Sequence, residues 1–410
     1  MDVNVHTFEG QHTYSTMSIN KYHFATAPAA PFKTSLPEMS TNVLPVQVGT
    51  TVAPSSSDSE VVSQLTQQGF TSGLAISMTK NNQVFPYRIW IIDNSGSMRT
   101  PDGHRIVETT SSTTVMIVPG TRWEELCETM KYHIKVADLL QAPTCFRLIN
   151  PPGVQVGPQN FVVASADTEG WRLSDTSPMS PHEAIQVIHR TSPGGGTPLT
   201  THIHRIHEQV NAMAPALVAS GCKCVIVIAT DGLPTDEYGQ GGDYQQKLYV
   251  DALKSLEGLP IWLVIRLCTD DDEVVEFYNS LDDQLELSID VLDDVCSEAL
   301  EVYEHNKWLN YGLPLHRCRE MGFHHRVFDI IDERPLTKSE VREFLQILLG
   351  DLDGIPDPSI DWLGFSNGIE GILKRENLTW NPVSKKMAPW INMSELNRKY
   401  GDGGCACTIL

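Results

Sequence analysis

Three apolar runs of strand length constrain this chain more than anything else in it. They are Tyr87–Ile92, Val225–Ala229 and Ile261–Leu267. Apolar residues that continue without alternation belong to strands covered on both faces, as in a parallel sheet sandwiched by helices. Helical stripes lie between the runs. Trp123, Leu126, Met130, Ile134, Ala137 and Leu140 recur at helical spacing. So do Leu199, Ile203, Ile206, Val210 and Met213, after Pro198, a favourable opening residue. Phe146–Ile149 and Phe161–Ala164 read as further short strands, and residues 104–118 as an inserted hairpin. Leu285, Leu287, Ile289 and Val291 alternate as an edge strand does, and a helix around Val295–Tyr303 closes the unit. Alternating strands and helices predict an α/β fold with a doubly wound, mostly parallel sheet over residues 86–306.

The first run ends in Asp93-Asn94-Ser95-Gly96-Ser97. One carboxylate and two hydroxyls stand at alternate positions of a tight loop, where they can face one centre. Hard cations such as Mg²⁺ prefer oxygen ligands. Gly194-Gly195-Gly196-Thr197-Pro198-Leu199 places a threonine after glycines at a helix start, and Asp231 follows the second apolar run. In an open parallel sheet, Asp93 and Asp231 would lie outside the carboxyl ends of neighbouring strands, where ligands bind.

These three segments, in this order, resemble the metal-ion-dependent adhesion site of von Willebrand factor type A (vWA) domains, whose sheet is Rossmann-like. The resemblance covers about half of the chain. It implies that Ser95 and Ser97 coordinate the metal directly, and Thr197 directly or through water. Asp93 and Asp231 would act largely through water and hydrogen bonds. It further implies an open coordination position that takes the carboxylate of a partner's Asp or Glu. Mg²⁺ fits the oxygen donors, and Mn²⁺ is also accepted. The alternative is a capped strand-to-helix turn without metal, since loop serines and aspartates often bond only backbone.

Other clusters are read more plainly. Asp270-Asp271-Asp272-Glu273 offers a second cation site or, preferably, a helix start. Asp351 and Asp353 suggest a calcium loop, but Ile355 stands where a third ligand belongs. His202, His204 and His207 lack a zinc-completing partner and are read as a solvated helix face. Cys222 and Cys224 share a strand face and are read as core.

The formal charge of -21 excludes nucleic acid, which selects basic surfaces, and suits a soluble acidic protein. No run approaches the roughly 20 apolar residues of a membrane helix. Nine cysteines, an odd count in a long chain, imply no disulfide framework. Met1-Asp2-Val3-Asn4-Val5 lacks a secretory pattern, so a cytoplasmic setting is expected. Residues 1–57 are too poor in clustered apolar side chains to order and read as disordered. Residues 58–82 read as a short helical segment: a brace on the main unit, or a pair that faintly resembles a ubiquitin-associated domain at Gly69-Phe70. Residues 307–400 read as a helical region, with a capping box at Thr337 and Glu340. Residues 401–410 read as a flexible tail. Its Cys405-Ala406-Cys407-Thr408-Ile409-Leu410 resembles a prenylation box, with Cys407 as acceptor and Cys405 as a second lipid site. Membrane association through that lipid stands beside the alternative of an ordinary tail that happens to carry cysteines.

The function expected is a Mg²⁺-dependent protein-binding module, not primarily an enzyme. A metal-dependent hydrolase and an adaptor in ubiquitin handling are the alternatives.

Overall fold

Two short helices, α1 (Ser56–Gln67) and α2 (Ser72–Val84), precede the first strand in a computed structural model that describes residues 56–108, 115–164 and 176–401. Of residues 1–57, expected to be disordered, 1–55 lie outside the described residues, as do the lipid sites Cys405 and Cys407, whereas Ser56 and Ser57 open α1. From β1 (Tyr87–Ile92) the chain makes a separate hairpin, β2 (Gly103–Glu108) and β3 (Val115–Gly120), then α3 (Arg122–Leu139). Next come β4 (Thr144–Leu148), β5 (Asn160–Val163), β6 (Ser177–Pro178), α4 (Pro181–Arg190) and α5 (Leu199–Ser220). The second half of the sheet follows as β7 (Cys224–Thr230), α6 (Asp243–Lys254), β8 (Ile261–Leu267), α7 (Asp272–Asn279), β9 (Ile289–Leu292) and α8 (Val295–His305). The C-terminal region holds α9 (Leu313–Glu320), α10 (Arg326–Asp329), α11 (Lys338–Leu349) and α12 (Trp362–Leu373). A small hairpin, β10 (Thr379–Asn381) and β11 (Lys386–Ala388), and then α13 (Met393–Tyr400) complete it.

The fold is α/β, with a seven-stranded sheet in the order β6-β5-β4-β1-β7-β8-β9. Only the β4–β5 pair is antiparallel; the other pairs within this sheet are parallel. Every residue of β1, β7 and β8 is buried, which is why their sequences do not alternate. Successive side chains still point to opposite faces. Ile89, Ile91, Ile226, Ile228, Leu263 and Ile265 pack with α5, α6 and α7. Trp90, Ile92, Val225, Val227 and Val264 pack with α3 and α4. From β1 the chain first crosses to β4 and later to β7, on the other side. The switch point therefore lies between β1 and β7, and a crevice opens beyond their carboxyl ends.

A third core sits around the C-terminal helices. It joins Leu65, Phe70, Leu74 and Met78 of the N-terminal pair to Trp308, Phe328, Phe344, Leu348, Phe365 and Trp390. It meets the starting ends of β1 and β7, and through Glu320 it also reaches Arg266 near the carboxyl end of β8. Arg88 Nε donates to the Met321 carbonyl (3.1 Å), and a Cβ on Gly322 would meet the Val225 side chain at 2.6 Å. Helix α9 carries four charged or titratable side chains into this boundary: His316, Arg317, Arg319 and Glu320, all buried. Arg319 donates to Glu298 (2.6 Å), Asp332 (2.9 Å) and Asp290 (3.0 Å).

One guanidinium among three carboxylates leaves excess negative charge. Burial pushes the Glu298 carboxyl from 4.5 up to about 8; Arg319 pulls it down, and Asp332 and Asp290 push it up. A proton held more tightly in the folded state stabilises below the unfolded value and is lost as pH rises through the folded one. The contribution of Glu298 is therefore full below 4.5 and fades up to about 8. Urea unfolding should show wild type losing more stability between pH 5 and pH 8.5 than Glu298→Gln; equal losses would refute this account.

Several local expectations need correction. His202 is not on a solvated face: it is 2 % exposed, with Nε2 3.0 Å from the Ile149 carbonyl, because it lies on the sheet-facing side of α5. His204 is exposed as expected. Cys224 opens β7 inside the core as expected, and Cys222, which precedes the strand, is half-buried and packs against the same core. Pro198 caps α5 rather than opening its first turn. Asp271 accepts from the Glu273 and Val274 amides and starts α7, so that acidic run is the helix start. Among the described residues, no helix is long and apolar enough to cross a membrane.

Candidate metal centre

The loops after β1 and β7 meet at the switch-point crevice. Both leave buried parallel strands, so their first residues are held in register: the Asp93 amide donates to the Ala229 carbonyl (2.9 Å). The glycine loop before α5 is stitched onto them. Gly96 donates to Gly195 (3.1 Å), and Gly194 to Asn94 (2.8 Å). Asn94 and Asn150 exchange two further bonds, and Asn150 Nδ2 donates to the Gly196 carbonyl (2.8 Å). Gly195 has φ +90°, and a Cβ there would lie 2.6 Å from the Asn150 side chain. Only glycine suits that position, for conformation and for space.

Asp93, Ser95, Ser97 and Asp231 are joined by hydrogen bonds. Asp93 is fully buried; Oδ1 accepts from the Ser95 amide (2.8 Å) and Oδ2 from the Thr230 hydroxyl (2.6 Å). The Ser95 and Ser97 hydroxyls are 2.9 Å apart. Ser97 donates to Asp231 Oδ1 (2.8 Å). Thr197 is buried beside them: a Cβ on Gly232 would lie 3.9 Å from its hydroxyl and 4.0 Å from that of Ser97. Ser97 and Gly96 are exposed, so the cluster opens to solvent on that side.

Electrostatically the cluster is short of positive charge. Burial, and then the neighbouring Asp231, pushes the Asp93 carboxyl from 3.8 up to about 6, against the bonds from Thr230 and Ser95. Burial also raises Asp231, while Ser97 and Arg122 oppose it. Among the described residues, Arg122 is the one cation in contact: Nη1 donates to Asp231 Oδ2 (3.0 Å). Its Nε and Nη2 hold Asp102 bidentately, at 2.8 and 2.6 Å. The Arg122 fork, bonded through its side chain, keeps Asp102 below the usual carboxylate range.

The sequence reading named Asp93, Ser95, Ser97, Thr197 and Asp231, and missed Arg122, Asp102, Thr230 and Asn150. A lone arginine at a helix start carries no local motif. Thr230 could have been noticed as the hydroxyl directly before Asp231. Among the described residues, no three His, Cys, Asp or Glu side chains converge as a metal-holding group. The cluster above has only two carboxylates and draws its other oxygens from hydroxyls.

No family model and no curated protein matches this chain. Solved structures do match, among them the human COPII-coat protein Sec24c, at 13% identity and a TM-score of 0.26. That similarity covers 53% of this chain and 31% of the other, so this chain spans about a third of the length of that relative. A TM-score of 0.26 carries no argument about fold or function.

Proposed function

We propose that this chain is a vWA-like protein-binding module whose ligand is a carboxylate on a partner protein, taken at a Mg²⁺ or Mn²⁺ site formed by Asp93, Ser95, Ser97, Thr197 and Asp231. The observation that carries the reading is the line of oxygens Ser95–Ser97–Asp231, spaced at 2.9 and 2.8 Å, at the mouth of the crevice. Cis ligands of an octahedral ion with bonds of about 2.0–2.1 Å stand about 2.9 Å apart, so the Ser95 and Ser97 hydroxyls need little rearrangement to face one ion, with Asp231 beside Ser97. The buried Asp93 and Asp231 add the charge that a cation relieves.

In this reading the hydroxyls of Ser95, Ser97 and Thr197 hold the ion. Asp93 orients the Ser95 loop, and Asp231 orients Ser97. An ion held mainly by neutral hydroxyls stays electrophilic and accepts an oxygen of the partner's Asp or Glu. No bond is made or broken. Both carboxylates are occupied by donors, so neither is placed as a general base, and the hydrolase alternative gains nothing. The ubiquitin alternative also gains nothing, since Phe70 is 2 % exposed and packs in the third core.

Titration calorimetry with Mg²⁺ tests the site. Wild type should bind, and Asp93→Ala should bind at least tenfold more weakly, since one buried charge is worth that much or more. Equal binding by the two proteins would overturn the metal site. Peptides bearing glutamate should be retained by the immobilised protein in Mg²⁺ and released by EDTA. Retention that ignores EDTA would overturn the carboxylate mechanism.

A further inference from the structure

Arg122 has no counterpart among the residues expected at this site, yet it makes the closest cationic contact to it. Three features fix it in place. The capping box of Thr121 and Glu124 sets the start of α3. The Arg122 amide donates to the Thr100 carbonyl (3.1 Å), which ties that start to the loop following Ser97. Asp102 grips Nε and Nη2, which leaves Nη1 to reach Asp231. The side chain is 14% exposed and that of Asp231 0%, so solvent screens their contact little. Asp231 thus divides its oxygens: Oδ1 faces Ser97 and the proposed ion, and Oδ2 faces a permanent positive charge. Asp93 has no such partner on either oxygen.

We infer that Arg122 is a resident counter-cation that holds down the affinity of the site for a divalent ion. This inference rests on the metal site proposed above. The guanidinium, shared with Asp102, offsets part of the Asp231 charge without any ion, which helps keep the two loops assembled in the ion-free protein. An arriving dication meets a carboxylate already shared with a fixed like charge. In surroundings of intermediate dielectric that repulsion is worth roughly tenfold in affinity or more. The site is therefore a weak, exchangeable one, filled according to ion concentration.

The test measures Mn²⁺ binding by electron paramagnetic resonance on wild type, Arg122→Gln, Arg122→Met and Arg122→Lys, with thermal unfolding in EDTA alongside. Both neutral variants should bind Mn²⁺ roughly tenfold more tightly and melt lower in EDTA. Arg122→Lys keeps the charge and loses the planar fork, so it should stay close to wild-type affinity. It also keeps the test informative if a neutral variant fails to fold. Neutral variants that bind no better than wild type, or a lysine variant as tight as they are, would overturn the role of Arg122 and leave the metal site standing. Absence of Mn²⁺ binding in all four proteins would overturn both.

Discussion

Glu320→Leu should lose about 3–5 kcal/mol in urea unfolding, the cost of removing one partner from a buried charge network. Glu320 ends α9 and is fully buried. Its Oε2 accepts from Arg317 Nη1 (2.9 Å) and lies 2.9 Å from His133 Nε2. Its Oε1 faces His316 Nε2 at 3.4 Å and Arg266 Nε at 3.7 Å, beside a cavity of ≈ 20 Å³. Burial works against the charge, but Arg317 and His316 hold the carboxyl well below its usual range. His133, driven down to about 4 by burial against the pull of Glu320, is neutral at pH 7. Glu320 is thus the anion between Arg317 and Arg266, and Arg266 reaches on to Glu125 of α3. With leucine there, two buried guanidinium groups face each other with less compensation. A second change, Arg317→Met, should restore part of the loss, because well-packed apolar replacements of whole ion pairs are often neutral. Loss below about 1 kcal/mol in the single variant would show that water already shields these arginines.

Gly73→Ala should also be severely destabilising, against the trend of helix propensity. Gly73 lies in the first turn of α2, where alanine is normally favoured by up to about 1 kcal/mol. A Cβ there would sit 2.0 Å from the Gly350 nitrogen, 2.4 Å from the Leu349 carbonyl carbon and 2.7 Å from the Leu348 oxygen. These are backbone atoms and cannot rotate aside, so α2 and α11 must separate. The expected loss is about 3 kcal/mol, at the upper end of overpacking effects. Gly371→Ala is the control. It lies within α12 with nothing within 4 Å of its Cβ position, and should gain up to about 1 kcal/mol. Thermal melts of the two variants that shift in the same direction would refute the steric argument.

What could be read from sequence follows from how local the causes are. Strands β1, β7 and β8 were legible because burial on both faces leaves a nearly continuous apolar run, as in Ile261–Leu267, interrupted by Arg266. Helices α3 and α5 were legible by their stripes. The oxygen cluster was legible because Asp93, Ser95 and Ser97 are close in sequence, and because Thr197 and Asp231 sit at recognisable element ends. Distant pairings left no such trace. Arg122 reaches Asp231 across 109 positions. In α9, Arg319 and Glu320 look like a solvated charged pair, and both are buried because distant elements supply partners: α8 and β9 for Arg319, and α3 and β8 for Glu320. His202 went astray for the same reason: a polar side chain on the apolar side of a helix is indistinguishable by type from one in water. The brace role of α1 and α2 depends on residues about 270 positions later, which no local pattern announces.

That interlocking has a temporal side. Thr71, which caps α2, donates its hydroxyl to the Leu348 carbonyl, 277 positions along the chain. At a synthesis rate of about 5–20 residues per second, α1 and α2 emerge roughly 14–55 s before that partner exists. Leu65, Phe70, Leu74 and Met78 have only part of their core to enter during that interval, since Phe344, Leu348, Phe365 and Trp390 are made at its end or later. Contacts of such wide separation also slow folding, since loop closure must precede their reward. Of the three cores described, the third is completed last, since it includes Trp390 and Leu396. Its first-made strand of sequence waits longest, a kinetic exposure that the finished fold conceals.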